Sequence, residues 1–120
     1  MIFTFNKRIY GYECDIYGHM NNANYLQLLE AARSEAMIDM KIPLSALKQQ
    51  NIQFFVYRVE LDYLKALDLE EVASVKSWFY EMNRLKGRWQ QEVYNSLGEL
   101  CLKARSEERR VGKECRSRWS

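Results

Sequence analysis

The chain has 120 residues, 48% of them hydrophobic and 28% charged, enough for one packed domain and too few for two. A formal net charge of +2 argues against the strongly basic face of a nucleic-acid binder. Cys14, Cys101 and Cys115 are odd in number and widely spaced, which leaves neither a disulfide framework nor a C-x-x-C pair and makes a reducing cytoplasm the expected home.

No apolar run approaches the roughly 20 residues of a membrane span, and the stretch from Met1 to Lys7 is too short and interrupted for a signal peptide. Phe3, Phe5 and Ile9 alternate with Thr4, Asn6 and Arg8, which predicts a half-buried first strand. After Gly11 comes the stretch Asp15-Ile16-Tyr17-Gly18-His19-Met20-Asn21-Asn22-Ala23-Asn24-Tyr25, which holds the one histidine of the chain. From Ala23 to about Met40 the period is helical, with Tyr25, Leu28, Leu29, Ala32 and Ala36 at three- and four-residue spacing. Asn21 or Asn22 is the expected N-cap, because an asparagine side-chain oxygen accepts from the open N–H groups of a first turn. The helix should stop before Pro43, and Leu44 to Gln50 reads as a short helical turn or loop.

From Ile52 the period changes to two. Val59, Leu61 and Tyr63, then Ala73, Val75, Ser77 and Phe79, then Leu85, Gly87, Trp89 and Val93, then Leu100, Leu102 and Ala104 predict four strands. Their short connections suggest an antiparallel meander, and the elements together suggest an α+β domain with the helix on one face of the sheet. The periodicity lapses at Arg105. Residues 106–120 hold five basic and three acidic residues, equal to the whole net charge of +2, and read as an appended end outside the domain formed by residues 1–105.

Chemistry concentrates in the stretch around Gly18. A carboxylate, a tight turn and a helix start come together there, and the open N–H groups and positive dipole end of a helix can hold a developing oxyanion. Asp15 can then act as nucleophile or general base, although an aspartate ahead of a glycine turn also commonly just accepts local N–H groups. His19 is a supporting candidate, while Gly18, Asn21 and Tyr25 are candidates for shaping the substrate site. With a single histidine and no cysteine pair, no metal site is expected.

The pattern Asp15-x-x-Gly18-His19-x-Asn21-Asn22-x-x-Tyr25, followed by Glu30-Ala31-Ala32-Arg33 and Val59-Glu60-Leu61-Asp62-Tyr63-Leu64, resembles the 4-hydroxybenzoyl-CoA thioesterase-like family of hotdog-fold acyl-CoA thioesterases. The resemblance implies a long helix wrapped by an antiparallel sheet of about five strands, and a homodimer or homotetramer with active sites at the dimer interface. It also implies hydrolysis of acyl-CoA to a carboxylic acid and CoA without a cofactor, with Asp15 as the carboxylate and the Asn22 backbone amide as the group that polarises the carbonyl. A hydrolase acting on acyl carrier protein and an acyl-binding module without turnover are the alternatives. Glu30 is a second carboxylate to weigh, read more simply as a surface partner of Arg33.

Overall fold

Alternation at the start of the chain gives strand β1, Phe3–Arg8, in the computed structural model, which describes residues 1–83 and 85–111. Helix α1 spans Asn22–Asp39 and is capped by Asn21, whose side chain accepts the Ala23 N–H. Tyr25, Leu28, Leu29, Ala32, Ala36 and Met37 form its buried stripe, as the spacing predicts. Its chain exits through Lys41 (φ 63°) to α2, Leu44–Gln49, a single short helix after Pro43.

Four strands follow: β2, Gln53–Tyr63; β3, Val72–Met82; β4, Lys86–Tyr94; and β5, Leu100–Val111. The sheet is antiparallel throughout, in the order β1-β3-β4-β5-β2. Three strands, β3, β4 and β5, make the expected meander; β2 departs from it by pairing with β5 at the far edge. The reason is the segment joining β2 to β3. It is no hairpin but a crossing connection, whose Leu67 is fully buried in the core beneath the start of α1.

Ala73, Val75, Trp89, Val93, Leu102 and Ala104 turn towards the helix and are all buried. Leu85, grouped with Trp89 by parity, precedes β4 and is 66% exposed. Cys101 breaks the alternation of β5 and is buried beside Leu102, at a register shift where Tyr94 opposes Leu100. Strand β5 also runs six residues past Arg105 to Val111, paired with both β2 and β4. Polar residues carry its inward parity there, with Ser106 buried and Glu108 facing Arg33 at 3.4 Å, so the hydrophobic pattern lapses while the strand continues. The rest of the expected appended end, residues 112–120, lies outside the described residues.

Arg33 likewise turns inward, with Glu108 and Gln91 as its contact partners, and Glu30 acts on it only as a more distant charge. Burial lowers the pKa of its guanidinium, with Glu108 opposing the shift. Among the described residues no helix is long and apolar enough to cross a membrane.

Candidate active site

Residues 13–21 form a tight hairpin between the 3-10 turn Gly11–Glu13 and α1. Its rungs are Asn21 N–H to Glu13 O at 2.8 Å, a Cys14–Met20 bridge, and Asp15 N–H to His19 O at 2.9 Å. Gly18 N–H returns to Asp15 O at 3.1 Å, with Gly18 at φ +77°. A turn followed by a left-handed residue closes a short hairpin without splaying its limbs, and glycine takes that conformation at little cost.

Asp15 therefore sits at the mouth of the turn. One carboxylate oxygen accepts from Tyr17 N–H at 2.9 Å and His19 N–H at 3.3 Å, which fixes the group and leaves the side chain exposed. Asp15 is a turn former by its hydrogen bonds, and the carboxyl group remains open to solvent.

At the other limb, helix α1 begins. Of its first three N–H groups, Ala23 donates to the Asn21 side chain at 3.0 Å and Asn24 to the Asn21 backbone at 2.9 Å. The Asn22 N–H meets no acceptor among the described residues, and it lies at the positive end of the helix dipole. Asn21 is committed as the cap. The hairpin brings Asp15, Gly18 and His19 into one turn, while Asn21 and Asn22 stand at its base.

Tyr25 points the other way. Its side chain is buried, its ring meets Tyr63 edge-on with centroids 5.5 Å apart, and its hydroxyl accepts the Leu67 N–H at 3.1 Å. Burial, the largest influence, raises its phenol pKa.

Sequence reasoning did not identify the clasp that holds this hairpin. The β2–β3 connection runs along it, giving Leu69 N–H to Gly18 O and receiving Met20 N–H at Leu67 O, each at 2.8 Å. Between them Asp68 bridges His19, with the Asp68 carboxylate 3.6 Å from His19 Nδ1. Glu13, 5% exposed, anchors the base by accepting Tyr10 N–H and pairing with Lys7.

Cys14 is an unsuitable nucleophile. Burial, followed by the carboxylates of Glu13, Asp15 and Asp68, raises its thiol pKa and disfavours the thiolate. Glu30 lies elsewhere, lining a cavity of about 100 Å³ with Ser34, Met37, Leu44 and Phe54. A larger open groove of about 660 Å³ runs over the sheet face away from α1, lined by Glu60, Asp62, Trp78, Tyr80 and Lys103. Neither concavity includes Asp15 or Asn22, and the groove offers no helix start, so its size alone does not make it the reacting site. Arg88 on β4, which could otherwise meet an anionic ligand, is held between Glu81 at 3.1 Å and Glu107 at 3.3 Å. Among the described residues no three His, Cys, Asp or Glu side chains converge as metal ligands.

A long helix against a five-stranded antiparallel sheet, with a turn-bound aspartate ahead of the helix start, defines a hotdog-fold protein. Residues 11–116 match the Thioesterase-like superfamily, and the chain belongs to that family of thioester hydrolases. It is 31% identical to the "Putative acyl-CoA thioesterase YneP" of Bacillus subtilis (strain 168), over 85% of this chain and 74% of that protein. It is 29% identical to the long-chain acyl-CoA thioesterase FadM of Escherichia coli (strain K12), over 67% of this chain and 60% of FadM. Among solved structures, the DHNA-CoA thioesterase of Staphylococcus aureus superposes with a TM-score of 0.88 at 22% identity, covering 94% of this chain and 76% of that one. The Staphylococcus aureus protein SAV2348, solved in complex with CoA, gives a TM-score of 0.89 at 17% identity, covering 97% of this chain and 73% of that one.

Proposed function

We propose that the protein hydrolyses an acyl-CoA thioester to a free carboxylic acid and CoA. The observation that carries this reading is the hairpin joining the fixed, solvent-open carboxylate of Asp15 to the open Asn22 N–H at the start of α1. A thioester has a good leaving group, so it needs a placed carboxylate and a donor aimed at the developing oxyanion more than it needs a strong base. Asp15 either attacks the carbonyl carbon or activates a water for that attack, and Asn22 N–H stabilises the negative oxygen. His19 supports the turn and Gly18 and Asn21 shape the substrate site around it, while Tyr25 contributes from the core side by holding the Leu67 N–H beneath the hairpin. The kinship with FadM and the CoA bound by SAV2348 favour a CoA ester as substrate.

The site is completed by a second copy of the chain in this reading. Strand β2 is a sheet edge, and Val56, Tyr57, Val59 and Tyr63 along it, with Leu64 just past its end, are between 37% and 55% exposed. An apolar edge of that length is covered when two sheets join there, which would set the exposed Asp15 turn into a walled interface. The free thiols of Cys14 and Cys101 suit a cytoplasmic setting.

The test is thiol release from short, long and aromatic acyl-CoAs, with Asp15→Asn compared at matched folding and oligomeric state. A fall in turnover of at least about a hundredfold in Asp15→Asn is expected for loss of a reacting carboxylate. Equal turnover would remove Asp15 from the mechanism. No release by a folded wild type would favour an acyl-binding role, and release from acyl carrier protein alone would change the substrate class.

A further inference from the structure

Resting on the thioesterase reading, we infer that Asp68 is a positioning residue that holds the proton of neutral His19 on Nδ1 and presents Nε2 to the reacting groups as a proton acceptor. The two residues are brought together by the main chain. His19 and Asp68 form a bridge flanked by Leu69 N–H to Gly18 O and Met20 N–H to Leu67 O, each at 2.8 Å. The connection is further pinned by Asp68 N–H donating to Glu71 Oε2 at 2.8 Å. The carboxylate of Asp68 stands 3.6 Å from Nδ1. That is an electrostatic contact between two exposed side chains, longer than a formed hydrogen bond.

A carboxylate beside Nδ1 favours the tautomer with the proton on that nitrogen and leaves the lone pair on Nε2. The backbone N–H of His19 is also one of the two donors fixing Asp15, so the ring and the carboxylate are carried by the same turn. Hydrolysis consumes one water. Its oxygen ends bonded to the acyl carbon, directly or by opening an Asp15 anhydride, the C–S bond breaks with its electron pair on the CoA sulfur, and the proton that the water gives up passes by way of Asp15 to Nε2 and from there to that sulfur.

The chain has one histidine, so the imidazole nitrogens of an isotope-labelled sample give a single residue's signals. In the neutral ring, the wild type is expected to carry its proton on Nδ1. Asp68→Ala is expected to move it to Nε2 and to lower kcat roughly ten- to a hundredfold with KM little changed, the size of effect typical when a group orienting a histidine is lost. Asp68→Asn, whose amide oxygen still accepts from Nδ1, should keep the tautomer and most of the turnover. Asp68 is an exposed side chain, so thermal unfolding of both variants should match the wild type. A wild-type proton on Nε2, or an Asp68→Ala protein with unchanged tautomer or unchanged kcat, overturns the assignment. Full turnover by Asp15→Asn alongside the expected wild-type tautomer would instead sink the role of Asp15 and support the His19 assignment.

Discussion

The Tyr25 hydroxyl accepts the backbone N–H of Leu67 at 3.1 Å, with the two residues 3% and 0% exposed. Leu67 O then takes the N–H of Met20, so two consecutive bonds tie the first turns of α1 and the hairpin to one buried point on the β2–β3 connection. Tyr25→Phe keeps the ring and strands the Leu67 N–H in the core. An unpaired buried donor costs about 1–3 kcal/mol, and each kcal/mol is worth roughly 4–8 °C in Tm for a domain near this size. Thermal unfolding should therefore show a drop of several degrees, and a variant as stable as the wild type would mean that water replaces the bond. The sign of the pH effect follows from burial, which raises the phenol pKa in the folded state. The contribution is complete below the ordinary tyrosine value of about 10 and is lost as pH rises above it.

Glu71 joins the clasp to the β4–β5 turn. Its carboxylate accepts from Asp68 N–H at 2.8 Å and from both Ser96 N–H and Ser96 Oγ at 3.0 Å. Burial opposes ionisation, but these bonds prevail and the pKa is lowered from 4.5. A depressed carboxylate contributes stability that is present above its unfolded value and lost as pH falls through the folded one. Glu71→Gln should therefore cost about 1 kcal/mol near neutral pH and flatten the acid limb of the stability curve below about pH 4.5. Denaturant titrations across that range decide it. Parallel acid limbs in the two proteins would assign the acid sensitivity to other carboxylates, such as Glu99 beside Lys65.

Most of this fold was legible because its signals are local. The spacing of Tyr25, Leu28, Leu29, Ala32 and Ala36 marks the buried face of α1, and the parity of Ala73, Val75, Trp89 and Val93 marks the inner face of the sheet. The D-x-x-G sequence of residues 15–18 likewise announced its turn. Two features were not legible. The pairing of β2 with β5 depends on where a buried connection crosses, and Leu67 alone does not reveal that it lies beneath Tyr25. The meeting of His19 with Asp68 is likewise a product of that crossing. At the end of β5, Ser106 and Glu108 take inward positions as polar residues, so a pattern of apolar side chains stops before the strand does.

Gln91 shows how a correct parity can conceal a polar role. It occupies an inward position of β4, 1% exposed, where an aliphatic side chain would be the simple choice. Its Nε2 donates to Leu29 O at 3.0 Å and to Ser77 Oγ at 2.9 Å, and its Oε1 accepts from Arg33 at 3.0 Å. The amide thus stitches α1 to β3 and β4 between the two apolar clusters of the core. Gln91→Leu fills similar space and removes all three bonds, leaving the Ser77 hydroxyl, itself 1% exposed, without its partner. The expected loss is about 2–3 kcal/mol by denaturant unfolding. Ser77→Ala combined with Gln91→Leu should recover part of that loss, because removing both partners of a buried bond is milder than removing one. Strictly additive losses in the double variant would mean that the two side chains are not energetically coupled, and that Gln91 is retained for its contact with Arg33.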